Sequence, residues 1–201
     1  MGNGPTDWTD RTYTSANPYV DTDFNGISSI YWSDFSTSTS AYTYNSLIDQ
    51  GYSFPSWSRT FPSSAIWTAG SVDFNDIAQG SIGTCYILAS MSALGEWEEK
   101  IKDIFLGLNR QSSGIVPIKF YIRGKPWVLT VDEQLFTSNR GSLFFAGKSP
   151  NDNSMWGALI EKAYAKMNGN YEFVNGGFVE NGLRTFVGAP VFTYDGYYAT
   201  T

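Results

Sequence analysis

The 201-residue chain contains no histidine and one cysteine, Cys85. One cysteine excludes a disulfide within the chain, and the lack of histidine excludes a zinc site of ordinary composition. Since nothing in the chain needs an oxidising compartment, we expect an intracellular, cytoplasmic protein. The chain also has no imidazole that could act as a general base or acid.

Charged residues make up only 16% of the sequence, and the net charge is −6. Nucleic acid binding needs basic surface, so we expect no nucleic-acid partner. The sequence has no apolar run long enough for a transmembrane segment and no secretory signal. Residues 1–6 match the pattern for N-myristoylation at Gly2, but no basic cluster follows to supply a second anchor.

Residues 1–65 are rich in Ser, Thr, Tyr, Asn and Asp and show no sustained helical or strand period. This stretch has too few aliphatic residues for a core of its own, but tryptophans such as Trp8, Trp32 and Trp57 could dock in pockets. We therefore predict an extended arm over residues 1–65, lying on the domain or on a protein partner, with a short helical turn over residues 42–49.

Residues 66–201 have the pattern of a folded domain with helices. A helix is predicted from Cys85 to about Trp97, and it is apolar on nearly every side, which indicates a buried helix. A second helix is expected from Ser154, as its N-cap, to Asn168-Gly169, and a short one over residues 181–187.

Two stretches of the same domain alternate apolar and polar residues, residues 116–122 and 127–131. They flank Arg123-Gly124, and this arrangement is typical of a β-hairpin. A further short strand is expected over residues 142–145, and Asp132-Glu133 is interpreted as a turn or surface pair. Helices with a small antiparallel sheet make the predicted fold class α+β.

A loop carrying Gly80 and Gly83 leads to Cys85, the first residue of the predicted buried helix. A helix N-terminus presents unpaired N–H groups and a partial positive charge, which stabilise a thiolate. Gln79 lies six residues before Cys85, so its amide could fold back beside the sulfur and donate to an oxyanion. A lone cysteine is more often a small buried apolar residue, and that alternative stays open.

Two motifs resemble those of the calpain family of papain-like cysteine proteases. Residues 76–89 read DIAQGSIGTCYILA, where the family has Asp-Ile-x-Gln-Gly-x-x-Gly-Asp-Cys-Trp-Leu-Leu-Ala. Residues 155–172 read MWGALIEKAYAKMNGNYE, close to the family's Phe-Trp-x-Ala-Leu-Leu-Glu-Lys-Ala-Tyr-Ala-Lys-x-Asn-Gly-Ser-Tyr-Glu. The resemblance covers residues 50–195 or so and implies the first, nucleophile-bearing subdomain of the protease core.

The resemblance implies that Cys85 is the nucleophile and Gln79 the oxyanion-hole donor of an endopeptidase. The histidine and asparagine of the family's triad belong to a second subdomain, which is missing from this chain. We therefore expect the chain alone to be inactive, and to act on protein substrates only when that subdomain joins it in cis or in trans. The alternative is an inactive calpain-like binding or scaffold protein, favoured by Thr84 and Tyr86, which replace the family's acidic residue and tryptophan.

The family's first subdomain also binds calcium. The resemblance places this site at Asp76, at backbone carbonyls near Ala69 and Ser71, and at a glutamate position that is occupied here by Ser154. One carboxylate with carbonyl groups is a poor calcium cage unless Asp152 contributes, so no cofactor is assigned. The other interpretation of Asp76 is a hydrogen-bond acceptor that fixes the loop.

Overall fold

The computed structural model describes residues 12–31, 39–67, 72–107 and 113–192. Within these ranges lie six α-helices: α1 Thr39–Asp49, α2 Trp57–Thr60, α3 Cys85–Gly95, α4 Glu98–Lys102, α5 Trp156–Asn168 and α6 Val179–Val187. The described residues also form two strands, β1 Val116–Ile122 and β2 Lys125–Val131, and 3₁₀ turns at Ile27–Ser29, Phe74–Asp76 and Glu172–Val174. The predicted α+β class is confirmed.

The two strands form the predicted antiparallel hairpin. Pairing runs from Val116 opposite Val131 to Ile122 opposite Lys125. Arg123 and Gly124 have φ of 53° and 75°, the left-handed conformation that a two-residue hairpin turn needs at both positions. The further strand expected over residues 142–145 is not formed, since the structure has only an isolated bridge between Leu143 and Thr137 there.

Helix α3 lies in the middle of the fold and contacts α5, α6 and the Phe74–Asp76 turn. Most of its residues are buried, as predicted: Tyr86, Ile87, Leu88, Ser90, Met91, Leu94 and Gly95. Cys85, Ala89 and Ala93 are exposed. Because a spacing of four residues places side chains on the same face of a helix, these three form a single open stripe along α3.

Helix α3 ends at Gly95 rather than near Trp97. Trp97 is 61% exposed, so it is not one of the apolar residues that the helix buries. A Cβ at position 95 would lie 3.0 Å from the Cα of Phe74, so the absence of a side chain lets the Phe74–Asp76 turn pack against the helix end.

Helix α5 is the second central helix and ends, as predicted, at Gly169, whose φ is 109°. The predicted N-cap is wrong, because Met155 is the N-cap and its side chain makes no capping hydrogen bond. The first N–H groups are paired instead with a distant segment, Met155 N with the carbonyl of Ala65 and Trp156 N with that of Ile66, both at 2.9 Å. Ser154 is buried, 2% exposed.

The interpretation of Asp132-Glu133 as a surface pair is wrong. Asp132 is fully buried and Glu133 is 8% exposed. Lys162 of α5 forms a buried ion pair with Asp132, and Lys166 pairs with Asp21 at 2.6 Å. The backbone N–H of Asp21 donates to Asp132 at 2.7 Å, so the network joins the end of β2, α5 and residues 12–31.

Residues 12–31 and 39–65 of the predicted arm contribute side chains to the core: Tyr19, Phe24, Ile30, Tyr44 and Trp57 are all buried. Tyr44 stacks on Phe136 with ring centroids 5.6 Å apart. Helix α1 is longer than the short turn expected over residues 42–49. The boundary between residues 65 and 66 stays a prediction, and Trp8 and Trp32 lie outside the described residues.

In the described ranges, each helix is too short or too polar to cross a bilayer. Gly2, the predicted myristoylation position, lies outside the described residues. The intracellular location also stays a prediction.

Candidate active site

The loop before α3 is held on one side by residues 144–147. Ala78 O accepts from Gly147 N, and Ser81 N donates to Phe144 O, both at 2.8 Å. Between these contacts the two backbones lie so close that a Cβ on Gly80 would be 2.0 Å from the carbonyl oxygen of Phe145. Only glycine fits at this position.

The other side of the loop is held by the segment before α6. Gly83 N donates to the side-chain oxygen of Asn175, and Gly176 N donates to Gly83 O, both at 2.8 Å. A Cβ on Gly83 would lie 2.7 Å from that Asn175 oxygen. The loop that leads into α3 is therefore fixed from two directions, and the position of the following residues is fixed with it.

Cys85 is the first residue of α3, an 11-residue helix, and Thr84 is the N-cap. The carbonyl of Thr84 accepts from Ile87 N and Leu88 N at 2.9 and 3.0 Å, so the helix is regular from its first turn. The Cys85 thiol is exposed. It therefore lies at the positive end of a helix dipole, in a position that a substrate can reach.

Gln79 and Cys85, the two predicted site residues, line the same cavity of about 370 Å³. Its walls come from the Phe74–Asp76 turn, the loop and the open stripe of α3: Phe74, Asn75, Ile77, Gln79, Cys85, Leu88, Ala89 and Ser92. The Gln79 amide, exposed like the thiol, donates a long hydrogen bond of 3.3 Å to Ile82 O. The structure thus brings a thiol and an amide donor together around one space.

Glu161 of α5 lies beneath this site, 1% exposed, and sequence reasoning missed it. Its carboxylate accepts from the hydroxyl of Thr84 at 2.5 Å and from the N–H of Ala146 at 2.7 Å. Burial raises the pKa of Glu161 to about 7, although both hydrogen bonds act to lower it. The sequence predicted the helix and the motif that contain Glu161 but gave this residue no role, and the signal that could have found it was Thr84, a hydroxyl donor where the family has an acid.

Asp76, the third predicted site residue, is buried, 5% exposed. One carboxylate oxygen accepts from Asp73 N at 2.9 Å and from the indole N–H of Trp156 at 3.1 Å. The other oxygen accepts from the hydroxyl of Ser149 at 2.9 Å. The carboxylate thereby fixes the Phe74–Asp76 turn, which is one wall of the cavity.

Within the described part of the chain, the residues around Asp76 do not by themselves make a calcium site. Both oxygens of Asp76 already accept hydrogen bonds, and one oxygen of Asp152 accepts from Ser154 N at 2.8 Å. Among the residues that the structure describes, no three acidic, cysteine or histidine side chains cluster. Ala69 and Ser71, whose carbonyls the resemblance implicates, lie outside those residues.

Comparison with known proteins identifies a family and relatives of this chain. A family model described as calpain family cysteine protease matches residues 31–199. The calpain-type cysteine protease DEK1 of Zea mays is 32% identical over 120 residues, 60% of this chain and 6% of that protein. The calpain-2 catalytic subunit of Gallus gallus is 36% identical to this chain over 131 residues, and calpain-8 of Rattus norvegicus is 35% identical over 130 residues. Each of these matches covers 63% of this chain. The chain spans only 18% of the length of these last two relatives.

Proposed function

Since this chain belongs to the calpain family of cysteine proteases, we propose that it supplies the nucleophile half of an endopeptidase core. Cys85 is the proposed nucleophile and Gln79 the proposed oxyanion donor. A second subdomain supplies the histidine and asparagine, because this chain contains no histidine.

In the proposed reaction the imidazole of the second subdomain takes the thiol proton of Cys85, the sulfur forms a bond to the carbonyl carbon of a peptide, and the carbonyl oxygen becomes an oxyanion. The Gln79 amide and the N–H groups at the start of α3 donate to that oxyanion. The C–N bond then breaks, and the leaving amine takes a proton from the imidazolium of the second subdomain. Water hydrolyses the resulting thioester and restores the thiol.

The observation that carries this proposal is the shared cavity of Gln79 and Cys85 at the N-terminus of α3. A purely structural cysteine packs its thiol among apolar side chains. The Cys85 thiol is exposed at the positive end of a helix that is otherwise largely buried. This placement supports a chemical role for the sulfur.

The proposal can be tested on the chain completed with a calpain-type subdomain that carries histidine and asparagine. We expect the completed protein to cleave a peptide substrate and to take up one equivalent of a peptidyl epoxide. Because Cys85 is the only cysteine of this chain, the mass of the labelled chain assigns the adduct. Cys85→Ser is the matched control and should lose both the adduct and the cleavage.

The second candidate function, an inactive scaffold, is favoured by the absence of histidine and by Thr84 and Tyr86 beside the nucleophile position. For the completed protein, the scaffold function predicts no peptide cleavage and no epoxide adduct. If the completed protein neither cleaves nor reacts, while Cys85→Ser binds the added subdomain as tightly as the unchanged chain does, the scaffold function holds and the peptidase proposal fails.

A further inference from the structure

We propose that Glu161 is a positioning residue, whose single buried carboxylate holds the Cys85 helix and the Gln79 loop in register with each other. The proposal rests on the proposed function, in that these two residues form the reactive site. It concerns a residue that does not touch the cavity: the carboxylate acts through Thr84 on one side and through residues 144–147 on the other.

The first contact of Glu161 acts on the start of α3, directly before Cys85. Thr84 is the N-cap of α3 and is fully buried. A threonine at this position ordinarily turns its hydroxyl towards the N–H groups of the first helical turn. Here the side chain makes no such cap and donates to Glu161 at 2.5 Å instead. The residue directly before the nucleophile is thus tied to α5 rather than to its own helix.

The second contact of Glu161 acts on the segment that holds the Gln79 loop. The other oxygen of Glu161 accepts from Ala146 N at 2.7 Å, and Ala146 is 3% exposed. On either side of this contact, Phe144 and Gly147 bond to Ser81 and Ala78, the residues that flank Gln79 and Gly80. Fixing Ala146 therefore fixes the strand-like segment on which the Gln79 loop lies.

The partners of the Glu161 carboxylate are hydrogen-bond donors and not a counter-charge. Among the described residues, the ion pairs involve Lys102, Lys162 and Lys166, and none includes Glu161. The titratable groups that face Glu161 are the phenols of Tyr86 on α3 and of Tyr171. Burial is the main cause that raises the pKa of both phenols, and the charge of Glu161 adds to it, so both phenols stay neutral. The Ala146 N–H can only donate, whereas the Thr84 hydroxyl can also accept, so protonation of Glu161 lets its new O–H donate to Thr84 and changes the bond to the residue before Cys85.

The test uses the full chain and needs no second subdomain. The rate at which iodoacetamide alkylates Cys85 is measured between about pH 5 and pH 9, with unfolding followed in parallel. Thr84→Val keeps the shape of the side chain but removes the donor, whereas Thr84→Ser keeps the donor. We expect Thr84→Val to slow alkylation by about tenfold above pH 7 and to change the shape of the pH profile, and Thr84→Ser to retain the wild-type profile.

Thr137→Val is the matched control. It makes the same substitution at a threonine that is 1% exposed and whose hydroxyl donates to Leu135 O and not to Glu161. If both valine variants change the rate equally, or if neither changes it, Glu161 does not position the site.

A measurement on the unchanged chain covers the case in which a variant fails to fold. The amide resonance of Ala146, in isotopically labelled protein, should move with a midpoint near the pKa of Glu161, about 7. An Ala146 resonance that stays constant across this range overturns the proposal. The peptidase proposal is judged separately, by epoxide labelling of the completed protein, so either proposal can fail without the other.

Discussion

The indole N–H of Trp156 donates to the carboxylate of Asp76 at 3.1 Å and thereby joins two sequence motifs that lie 80 residues apart. Trp156 is fully buried and begins α5, and Asp76 ends the turn that forms one wall of the cavity. The same carboxylate also accepts from Ser149 and from the backbone of Asp73. The cavity wall is therefore positioned by the buried helix behind it.

Replacing Asp76 should destabilise the fold. Asp76→Ala leaves three donors without their acceptor, two of them on the buried side chains of Trp156 and Ser149, and we expect a loss of about 2–4 kcal/mol in the free energy of unfolding. Urea denaturation measures this loss. Asp103→Ala, at an exposed position after α4, is the control and should change the free energy by less than about 0.5 kcal/mol. Equal losses for the two variants contradict this account.

Calcium should have little effect on the chain. Since hydrogen bonds already occupy both oxygens of Asp76, we expect saturating calcium to shift the midpoint of thermal unfolding by less than about 1 °C relative to a chelator. Differential scanning calorimetry checks this expectation. A larger shift that disappears in Asp76→Asn means that the ion displaces these hydrogen bonds.

The features that the sequence predicted correctly depend on local chemistry. The hairpin follows from two consecutive residues that must both have positive φ, Arg123 and Gly124, between alternating strands. The end of α5 follows in the same way from Gly169. Gln79 and Cys85 line one cavity because the loop between them is short and its close backbone approach at Gly80 is compatible only with glycine, while their roles stay a prediction.

The features that the sequence did not predict depend on partners far away in the chain. Ser154 is not the N-cap of α5, because the carbonyls of Ala65 and Ile66 already pair with the first N–H groups. Asp132 is buried because Lys162 reaches it from α5. Glu161 faces Thr84, 77 residues away. A local pattern cannot show whether a charged residue has such a partner, so it placed Asp132 in a turn or surface pair and gave Glu161 no role.

Breaking the buried ion pair should cost far more than breaking an exposed one. Lys162→Met leaves Asp132 buried without its counter-charge, and we expect a loss of about 3–5 kcal/mol in the free energy of unfolding. Lys102→Met breaks the partly exposed pair with Glu98 on α4, which should cost less than about 1 kcal/mol. Both values come from urea denaturation. A small loss for Lys162→Met would mean that Asp132 becomes protonated or hydrated without cost.

Glu161 should make the stability of the fold depend on pH. Its carboxyl ionises near 4.5 in the unfolded chain but stays protonated up to about pH 7 in the folded chain. The stability from this group is therefore fully present below about pH 4.5 and is lost as the pH rises through 7, on the order of 3 kcal/mol in all.

Glu161→Gln does not titrate, which isolates this contribution. The difference in unfolding free energy between the variant and the unchanged chain should move in favour of the variant by on the order of 3 kcal/mol between pH 5 and pH 8. Urea denaturation at the two pH values measures it, and groups that titrate in both proteins cancel. A difference that is the same at both pH values shows that Glu161 is ionised throughout this range.

Gln79 should matter only for reactions that pass through an oxyanion. In the completed protein we expect Gln79→Ala to lower kcat for peptide cleavage by about 10²–10³, since one oxyanion donor is lost. Alkylation of Cys85 by iodoacetamide displaces iodide and develops no oxyanion, so its rate should stay within about twofold of the wild-type value. Measuring both rates on one preparation separates loss of the donor from displacement of the sulfur. A parallel fall in both rates would show that Gln79 holds the loop in place and does not stabilise the transition state.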